Sequence, residues 1–277
     1  MIFNQPDFSI QPAYAPVRES SLLACFSKGR ILMHHANGEL SLPAFAQLSP
    51  MLPAGFVPFE LAHTDSVSIF TPHPFEDFSL SETDELYYEE VGIFRTLPYD
   101  TAALITTSWH LWSWYQNNRF CGRCGHSNRP DEKERALRCT HCGRMTFPMI
   151  CPAVIVAITC GDKILLVRNA RSTFKHYALV AGYVEVGETL EHAVHREVQE
   201  EVGIRLSSLR YLGNQPWGVS GSHMFAFHAT ADDAQPVVIQ ESELTEARWF
   251  HRDEVEPRQR MVSIAAELIE RFRMGTL

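Results

Sequence analysis

No apolar run in the 277-residue chain approaches the length of a membrane span; the best, Ile150 to Cys160, suits a buried strand instead. Positive charge is also short. Against 24 basic residues stand 33 acidic ones, a formal net charge of −9, so no broad attraction to nucleic-acid backbones or anionic membranes is expected. Only local basic patches remain for such contacts. The opening MIFNQPDFSIQPAYAP has neither the charged start nor the apolar core of a signal peptide. No internal repeat or low-complexity tract is visible. A cytoplasmic protein with no membrane partner is the expectation. Cysteine is sparse, and its count of seven is odd, which argues against a disulfide framework. Three of the seven, Cys25, Cys151 and Cys160, stand apart and read as small buried hydrophobes.

What is present is ordinary core material. A 45% hydrophobic and 21% charged composition fits a soluble globular protein, and the length allows about two domains. Up to about Tyr115 the text is irregular and aromatic-rich, and it contains no catalytic motif. GRILMHHANGELSL places apolar runs around Asn37-Gly38, a hairpin signal because both residues tolerate positive φ. SVSIF (66–70) reads as a strand. A helix is expected over Ala102 to about Tyr115, with Asp100 as its N-cap and Leu104, Trp109 and Trp112 as core candidates. After residue 147 the pattern changes to strands and turns: CPAVIVAIT, a turn at Gly161-Asp162, KILLVRNA and YALVAGYVEVGE. A helix, RLSSLRYLG, SHMFAFHAT, EARWF and a final helix over Ser263–Arg273 follow. Strands around two helices suggest a mixed α/β sandwich. The organisation expected is an N-terminal α+β domain over 1–115, a cysteine module over 116–147 and the sandwich over 148–277.

Cys121-x2-Cys124-x14-Cys139-x2-Cys142 supplies four thiolates at the spacing of two knuckles closing on one tetrahedral ion. Gly122, Gly125 and Gly143 flank them, where a knuckle turn needs a permissive backbone. A complete cysteine set leaves no open position for catalysis, so one structural Zn2+ per chain is expected. A redox dithiol or four unligated thiols are the competing readings. His126 and His141 lie close by but are not needed as ligands.

The stretch AVHREVQEEVG (193–203) breaks the rule for an amphipathic helix. At about 100° per residue, Leu190, Ala193, Val194 and Val198 share one face, and Glu197 and Glu201 fall inside that apolar stripe. Glu197 and Glu201 are i,i+4 neighbours, and Glu197 and Glu200 are i,i+3 neighbours, so three carboxylates converge on one patch. Like charges on a partly buried face raise one another's pKa, and divalent cations remove the conflict. Hard oxygen ligands suit Mg2+ or Mn2+, which would neutralise pyrophosphate oxygens and activate water. Arg196 is placed to hold Glu188 and orient the helix. Gly182 is read as permitting a close turn and Gly203 as ending the helix. His192 and His195 fall on the polar side. A merely solvated acidic face is the alternative, and the wheel argues against it for Glu197 and Glu201.

GYVEVGETLEHAVHREVQEEVGI (182–204) satisfies G-x5-E-x7-R-E-U-x-E-E-x-G-U, U being aliphatic, at every fixed position, and here the sequence closely resembles the Nudix hydrolases. A four-cysteine ribbon directly before such a domain resembles the zinc-ribbon NADH pyrophosphatases of NudC type. FCGRCG (120–125), MTFPMICPAVIVAI (145–158), LVAGYVEVGETLE (179–191) and NQPWGVSGS (214–222) carry that resemblance, over roughly residues 95–277. It implies a Nudix α/β/α sandwich and a homodimer. The implied activity is metal-dependent hydrolysis of NAD(H) to nicotinamide mononucleotide and AMP, with NAD-cap removal from RNA 5′ ends in some members. It implies catalytic and metal roles for Glu188, Arg196, Glu197, Glu200 and Glu201, with Glu246 as a further carboxylate near the metals. It implies that Tyr183 stacks on the nicotinamide and that Phe147 reaches the partner's site. Gln215, Trp217 and Ser222 belong to the family's substrate pattern, usually SQPWPFPxS. Here Gly218-Val219-Ser220 replaces Pro-Phe-Pro, and with Gly221 this reads as a more flexible loop. The change leaves the hydrolytic set alone and bears on the substrate.

Three functions follow: an NAD(H) pyrophosphatase, a Nudix pyrophosphatase on ADP-ribose or another nucleoside diphosphate derivative, and a catalytically silent ligand sensor. The intact Glu197, Glu200 and Glu201 argue against the last. Arg119, Arg123, Arg138 and Arg144 around the ribbon are the candidates for contacts to the first nucleotides of a capped RNA. Solvated surface arginines are the stronger reading of all four.

Overall fold

The computed structural model describes residues 16–63, 67–72, 75, 78–170, 176–258 and 262–277. The first fifteen residues, and Ser66 of the segment read as a strand, lie outside them. Backbone packing separates two units. One runs through Met149 and includes Gly218–Gly221; the other holds Ile150–Trp217 and Ser222–Leu277.

The first unit begins with β1 (Leu22–Leu23), β2 (Phe26–Ser27), β3 (Arg30–Ala36), β4 (Glu39–Ser41), α1 (Phe45–Leu48) and β5 (Phe59–His63). It continues with β6 (Ser68–Thr71), β7 (Leu86–Glu90) and α2 (Tyr99–Asn117). Asn37 and Gly38, at φ 52° and 79°, turn β3 into β4, as expected from the dipeptide. β7 pairs along the other edge of β3, while β1, β6 and β5 form a separate small sheet. Leu23, Cys25, Leu32, Leu48, Phe70 and Leu86 fill the core of this region. α2 starts earlier than its polar residue suggested. Ala102 N–H donates to the Pro98 carbonyl at 2.9 Å, so Pro98 is the N-cap and Asp100 sits in the first turn. The helix buries Ile105, Leu111, Trp114 and Tyr115. Leu104, Trp109 and Trp112 are only half-buried, and both tryptophans pack on Phe26 with ring centroids 5.4 and 5.2 Å away. β8 (Asn128–Pro130), β9 (Leu137–Cys139) and β10 (Met145–Thr146) then form a three-stranded antiparallel ribbon.

The second unit contains β11 (Cys151–Cys160), β12 (Lys163–Asn169), β13 (Val180–Tyr183), α3 (Leu190–Val202), β14 (Ser208–Trp217), β15 (Ser222–Thr230), β16 (Leu244–His251) and α4 (Ile264–Arg273). β11 is its axis. β15 runs parallel along one edge of β11 for nine registered pairs. The other edge is shared, with β13 pairing at Ala153–Val156 and β12 at Ile158–Cys160. β14 and β16 close the order β14-β15-β11-β12-β16. Alternation along β11 sorts its side chains. Val154, Val156 and Ile158 join Ala193, Val194, Val198 and Val202 of α3 in one core. Ile155 and Ala157, buried on the opposite face, lie on the side of β11 that α4 covers. The result is the expected α/β/α sandwich. Among the single cysteines only Cys25 is fully buried, with burial pushing its thiol up to about 12; Cys151 and Cys160 are half-exposed because they lie at the two ends of β11. Among the described residues no helix is long and apolar enough to cross a membrane.

Candidate active site

α3 is framed by its own sequence. Thr189 caps it by accepting the His192 N–H at 3.2 Å, and Gly203 ends it in the left-handed region at φ 70°. Its apolar stripe is fully buried at Ala193, Val194, Val198 and Val202, and Glu201, in phase with that stripe, is only 5% exposed. Glu197 is nearly covered, while the Glu200 side chain is about half-exposed at 52%. The helical wheel therefore reads correctly for all three.

Arg196 ties this patch together. Its Nε and Nη2 donate to the two oxygens of Glu188, both at 2.9 Å, a bidentate fork. Nη1 reaches Glu197 at 2.7 Å and Glu200 at 3.1 Å, and Nη2 also donates to the Tyr183 carbonyl at 2.8 Å. One guanidinium thus links the loop before α3, two carboxylates on α3 and the end of β13. Its hydrogen bonds hold the Glu188 carboxyl down to about 2, helped by the Glu185 N–H at 3.0 Å. Glu201 moves the other way. Burial is the main cause, with the charges of Glu197, Glu243 and Glu200 adding to it and the Ala181 N–H opposing, and its carboxyl is pushed up to about 8. Burial likewise raises Glu197 against the pull of Arg196.

Gly182 plays a different part from the turn glycine expected. It is a residue of β13, opposite Val154, and its φ is not left-handed. A Cβ there would overlap the Glu197 carboxyl group. The motif glycine is therefore space for a carboxylate.

The remaining candidate site residues divide. Tyr183 is 53% exposed, and its hydroxyl lies 3.2 Å from the buried Ser222 Oγ. Gln215 is buried and clamps the start of α4: its amide donates to the Val262 carbonyl at 3.1 Å and accepts the Ile264 N–H at 2.7 Å. Trp217 is half-buried and pairs with Ser222 across β14 and β15. Phe147, with Met149 and Ile150, is exposed.

Glu246 requires a correction. Ala247 and Trp249 turn toward the α3 core, so alternation along β16 sends Glu246 to the opposite face. There it pairs with Arg168 and Arg248, both at 3.5 Å. The carboxylate that bears on Glu197 and Glu201 is Glu243. It closes a turn on Gln240, whose N–H donates to the Glu201 carbonyl at 3.0 Å. Nothing in the spacing singled it out, because only the start of β16 decides which acid faces α3.

The four ribbon sulfurs gather within 4.8 Å of one another. Cys121 and Cys142 are 3.7 Å apart and Cys124 and Cys139 3.5 Å, close to the roughly 3.8 Å edge of a tetrahedron with 2.3 Å Zn–S bonds. Backbone N–H groups point at the thiols, Arg123 onto Cys121 and His141 and Cys142 onto Cys139, each at 3.4 Å. Such donors favour thiolate, and they bring Cys139 down to about 6. The donor set fits a closed structural zinc.

Two stretches of the chain match known domain families. Residues 149–272 match the NUDIX domain, and residues 116–147 match the NADH pyrophosphatase zinc ribbon domain. A Haemophilus influenzae (strain PittGG) protein described as NAD-capped RNA hydrolase NudC is 39% identical over 188 residues, 67% of this chain and 71% of its own length. The chain belongs to the NudC family of zinc-ribbon Nudix hydrolases. A Pseudomonas syringae pv. syringae (strain B728a) relative with the same description is 41% identical over 183 residues, 66% of this chain and 63% of its own. A solved Nudix hydrolase from Nitrosomonas europaea covers 57% of this chain and 91% of its own, at 21% identity and a TM-score of 0.49. A Nudix hydrolase works through a divalent metal, and α3 of this Nudix domain carries a carboxylate, Glu201, that is only 5% exposed.

Proposed function

We propose that this chain hydrolyses the pyrophosphate of NAD(H) to nicotinamide mononucleotide, oxidised or reduced, and AMP, and removes NAD caps from RNA 5′ ends by the same reaction. The observation that carries the reading is Glu201: a carboxylate only 5% exposed, raised by burial and by neighbouring acids, on a helix whose apolar face surrounds it. Glu197, Glu200 and Glu201 are the proposed ligands of Mg2+ or Mn2+, with Glu243 as the further carboxylate. When bound, such an ion neutralises phosphate oxygens and lowers the pKa of water at the site. The oxygen of water adds to one phosphorus, and the bridging oxygen leaves on the other phosphate. Arg196 and Glu188 act as the rigid frame that keeps the α3 carboxylates against β13. Tyr183 is proposed to stack on the nicotinamide, a reading supported by its exposed ring and by Ser222 at its hydroxyl. Exposed Phe147 is the residue proposed to complete the site of a second subunit in a homodimer. Domain limits of 1–115, 116–147 and 148–277 go with this reading, supported by the two family matches.

The altered loop 218–221 favours keeping ADP-ribose as a second substrate to be tested. Purified protein with Mg2+ or Mn2+ is expected to release AMP and reduced nicotinamide mononucleotide from NADH, and 5′-monophosphate RNA from NAD-capped RNA. Turnover of ADP-ribose alone would move the substrate; silence on all would remove the enzymatic reading.

A further inference from the structure

The sheet face turned away from α3 has a cavity of its own. Along β12 and β16, Leu165, Val167, Ala247 and Trp249 belong to the α3 core. Alternation therefore puts Leu166, Arg168, Glu246, Arg248 and Phe250 on the opposite face. There Arg168, Tyr177, Arg248, Phe250 and Arg258 line a cavity of about 260 Å³. That is near the lower limit of about 300 Å³ for ligand pockets, room for a head group and not for a whole dinucleotide.

Two rings set the geometry. Tyr177 and Phe250 meet edge to face with centroids 4.5 Å apart. The Arg168 guanidinium lies 4.4 Å from the Tyr177 centroid, and the Arg248 guanidinium 3.8 Å from that of Phe250. Arg258 comes from the segment after β16 and donates through Nη2 to the Tyr177 carbonyl at 2.8 Å. Three guanidinium groups thus line one small volume beside aromatic rings, where charge counts for more than in open water.

Their donors are not used up. Glu246 stands 3.5 Å from Arg168 Nη1 and from Arg248 Nε, beyond the roughly 2.7–2.9 Å of a charge-assisted hydrogen bond. Glu254 is 3.9 Å from Arg248 Nη1, and its other oxygen already accepts the His251 N–H at 2.6 Å. Glu256, the remaining acid of the lining, is exposed. Among the described residues, Arg168 Nε and Arg258 Nε are buried with no hydrogen-bond partner. A buried donor without an acceptor is costly, and two on the residues lining one cavity mark a place for an acceptor-rich group. A phosphomonoester brings three acceptor oxygens and about two negative charges, and its geometry matches the guanidinium fork.

We propose that this cavity is a binding site for a phosphomonoester, separate from the α3 carboxylates and on the other face of the sheet. It stands apart from the NAD(H) reading above. A nucleoside 5′-monophosphate and free phosphate both carry the chemistry that the three arginines recognise.

Isothermal titration calorimetry of the zinc-loaded full chain, with no Mg2+ or Mn2+ added, tests it with AMP, inorganic phosphate and adenosine. AMP is expected to bind at one site per chain, and adenosine not to bind. Inorganic phosphate as tight as AMP would make the free ion the ligand; tighter AMP would make it the nucleotide. Arg168→Gln and Arg248→Gln should weaken AMP at least about tenfold, and Glu246→Gln, which releases both guanidiniums, should tighten it about threefold. Arg210 is an exposed arginine of β14, the strand at the far edge of the sheet. Arg210→Gln and Glu201→Gln should leave the affinity within about twofold of wild type, being remote and screened. Should Arg168→Gln fail to fold, Arg248→Gln, at a half-exposed side chain, carries the comparison. The proposal is overturned by no saturable binding of AMP or phosphate, or by adenosine binding as tightly as AMP. An affinity unchanged in the folded Arg168 and Arg248 variants overturns it as well. Loss of AMP binding in Glu201→Gln would place the anion at α3 and overturn it too.

Discussion

Glu201 concentrates the chemistry of the α3 patch into one side chain. Its folded carboxyl titrates at about 8 against an ordinary 4.5, so between those values the unfolded chain ionises it while the folded chain resists. Metal-free protein is therefore expected to lose stability as pH rises from 4.5 to 8, by an amount on the order of a few kcal/mol, and to be unaffected by this group below 4.5. Chemical denaturation in chelator across that range checks the slope. Glu201→Gln should flatten it, and so should added divalent cation. The same variant should keep the fold and lower turnover by several orders of magnitude; near-normal turnover would exclude Glu201 from the machinery. Gly182→Ala is the complementary test. Its new methyl competes with a Glu197 carboxylate locked at 2.7 Å to Arg196, so turnover is expected to fall at least about a hundredfold with little change in melting temperature. Glu201 and Glu197 were legible from helical period alone. The need for glycine at 182 was not, because it arises from a carboxylate fifteen positions later in the chain.

At the scale of the element, α3 is held by short-range chemistry: a threonine cap, a left-handed glycine and a buried stripe. Thr189→Ala should cost about 1 kcal/mol and lower the melting temperature by a few degrees, with turnover per folded molecule unchanged, a difference readable by calorimetry and kinetics on one sample. The start of α2 shows where such local reading fails. Asp100 is a good capping residue by type, yet the first helical hydrogen bond goes to Pro98, one turn before Ala102. Trp109 and Trp112 read as core candidates by apolarity, whereas both stay half-buried against Phe26 and the buried tryptophan of the helix is Trp114. β16 repeats the lesson for a candidate site residue. An acid at 243 and an acid at 246 are indistinguishable in the sequence; the register with β12 sets Glu246 opposite Arg168, while Glu243 falls in the turn just before β16.

For the whole molecule, the zinc ribbon is a fold built on a metal, since its strands are only two or three residues long and the cysteines flank them. One zinc per chain is expected by elemental analysis, and Cys139→Ser should lose it together with a cooperative part of the thermal transition. A variant that retains stoichiometric zinc would show that three cysteines suffice. What the sequence determined by itself was everything of short range or fixed spacing: the cysteine knuckles, the α3 carboxylates and their arginine, the hairpin at Asn37-Gly38, and the sandwich class. These depend on periods and turns that a dozen residues settle. The tertiary structure alone decided that Glu243 and not Glu246 joins the α3 acids, that Gln215 is held at the start of α4, and that Gly182 is a space. Each of these is a contact between segments far apart in the chain, and close packing admits or rejects a single methyl group there regardless of local propensity.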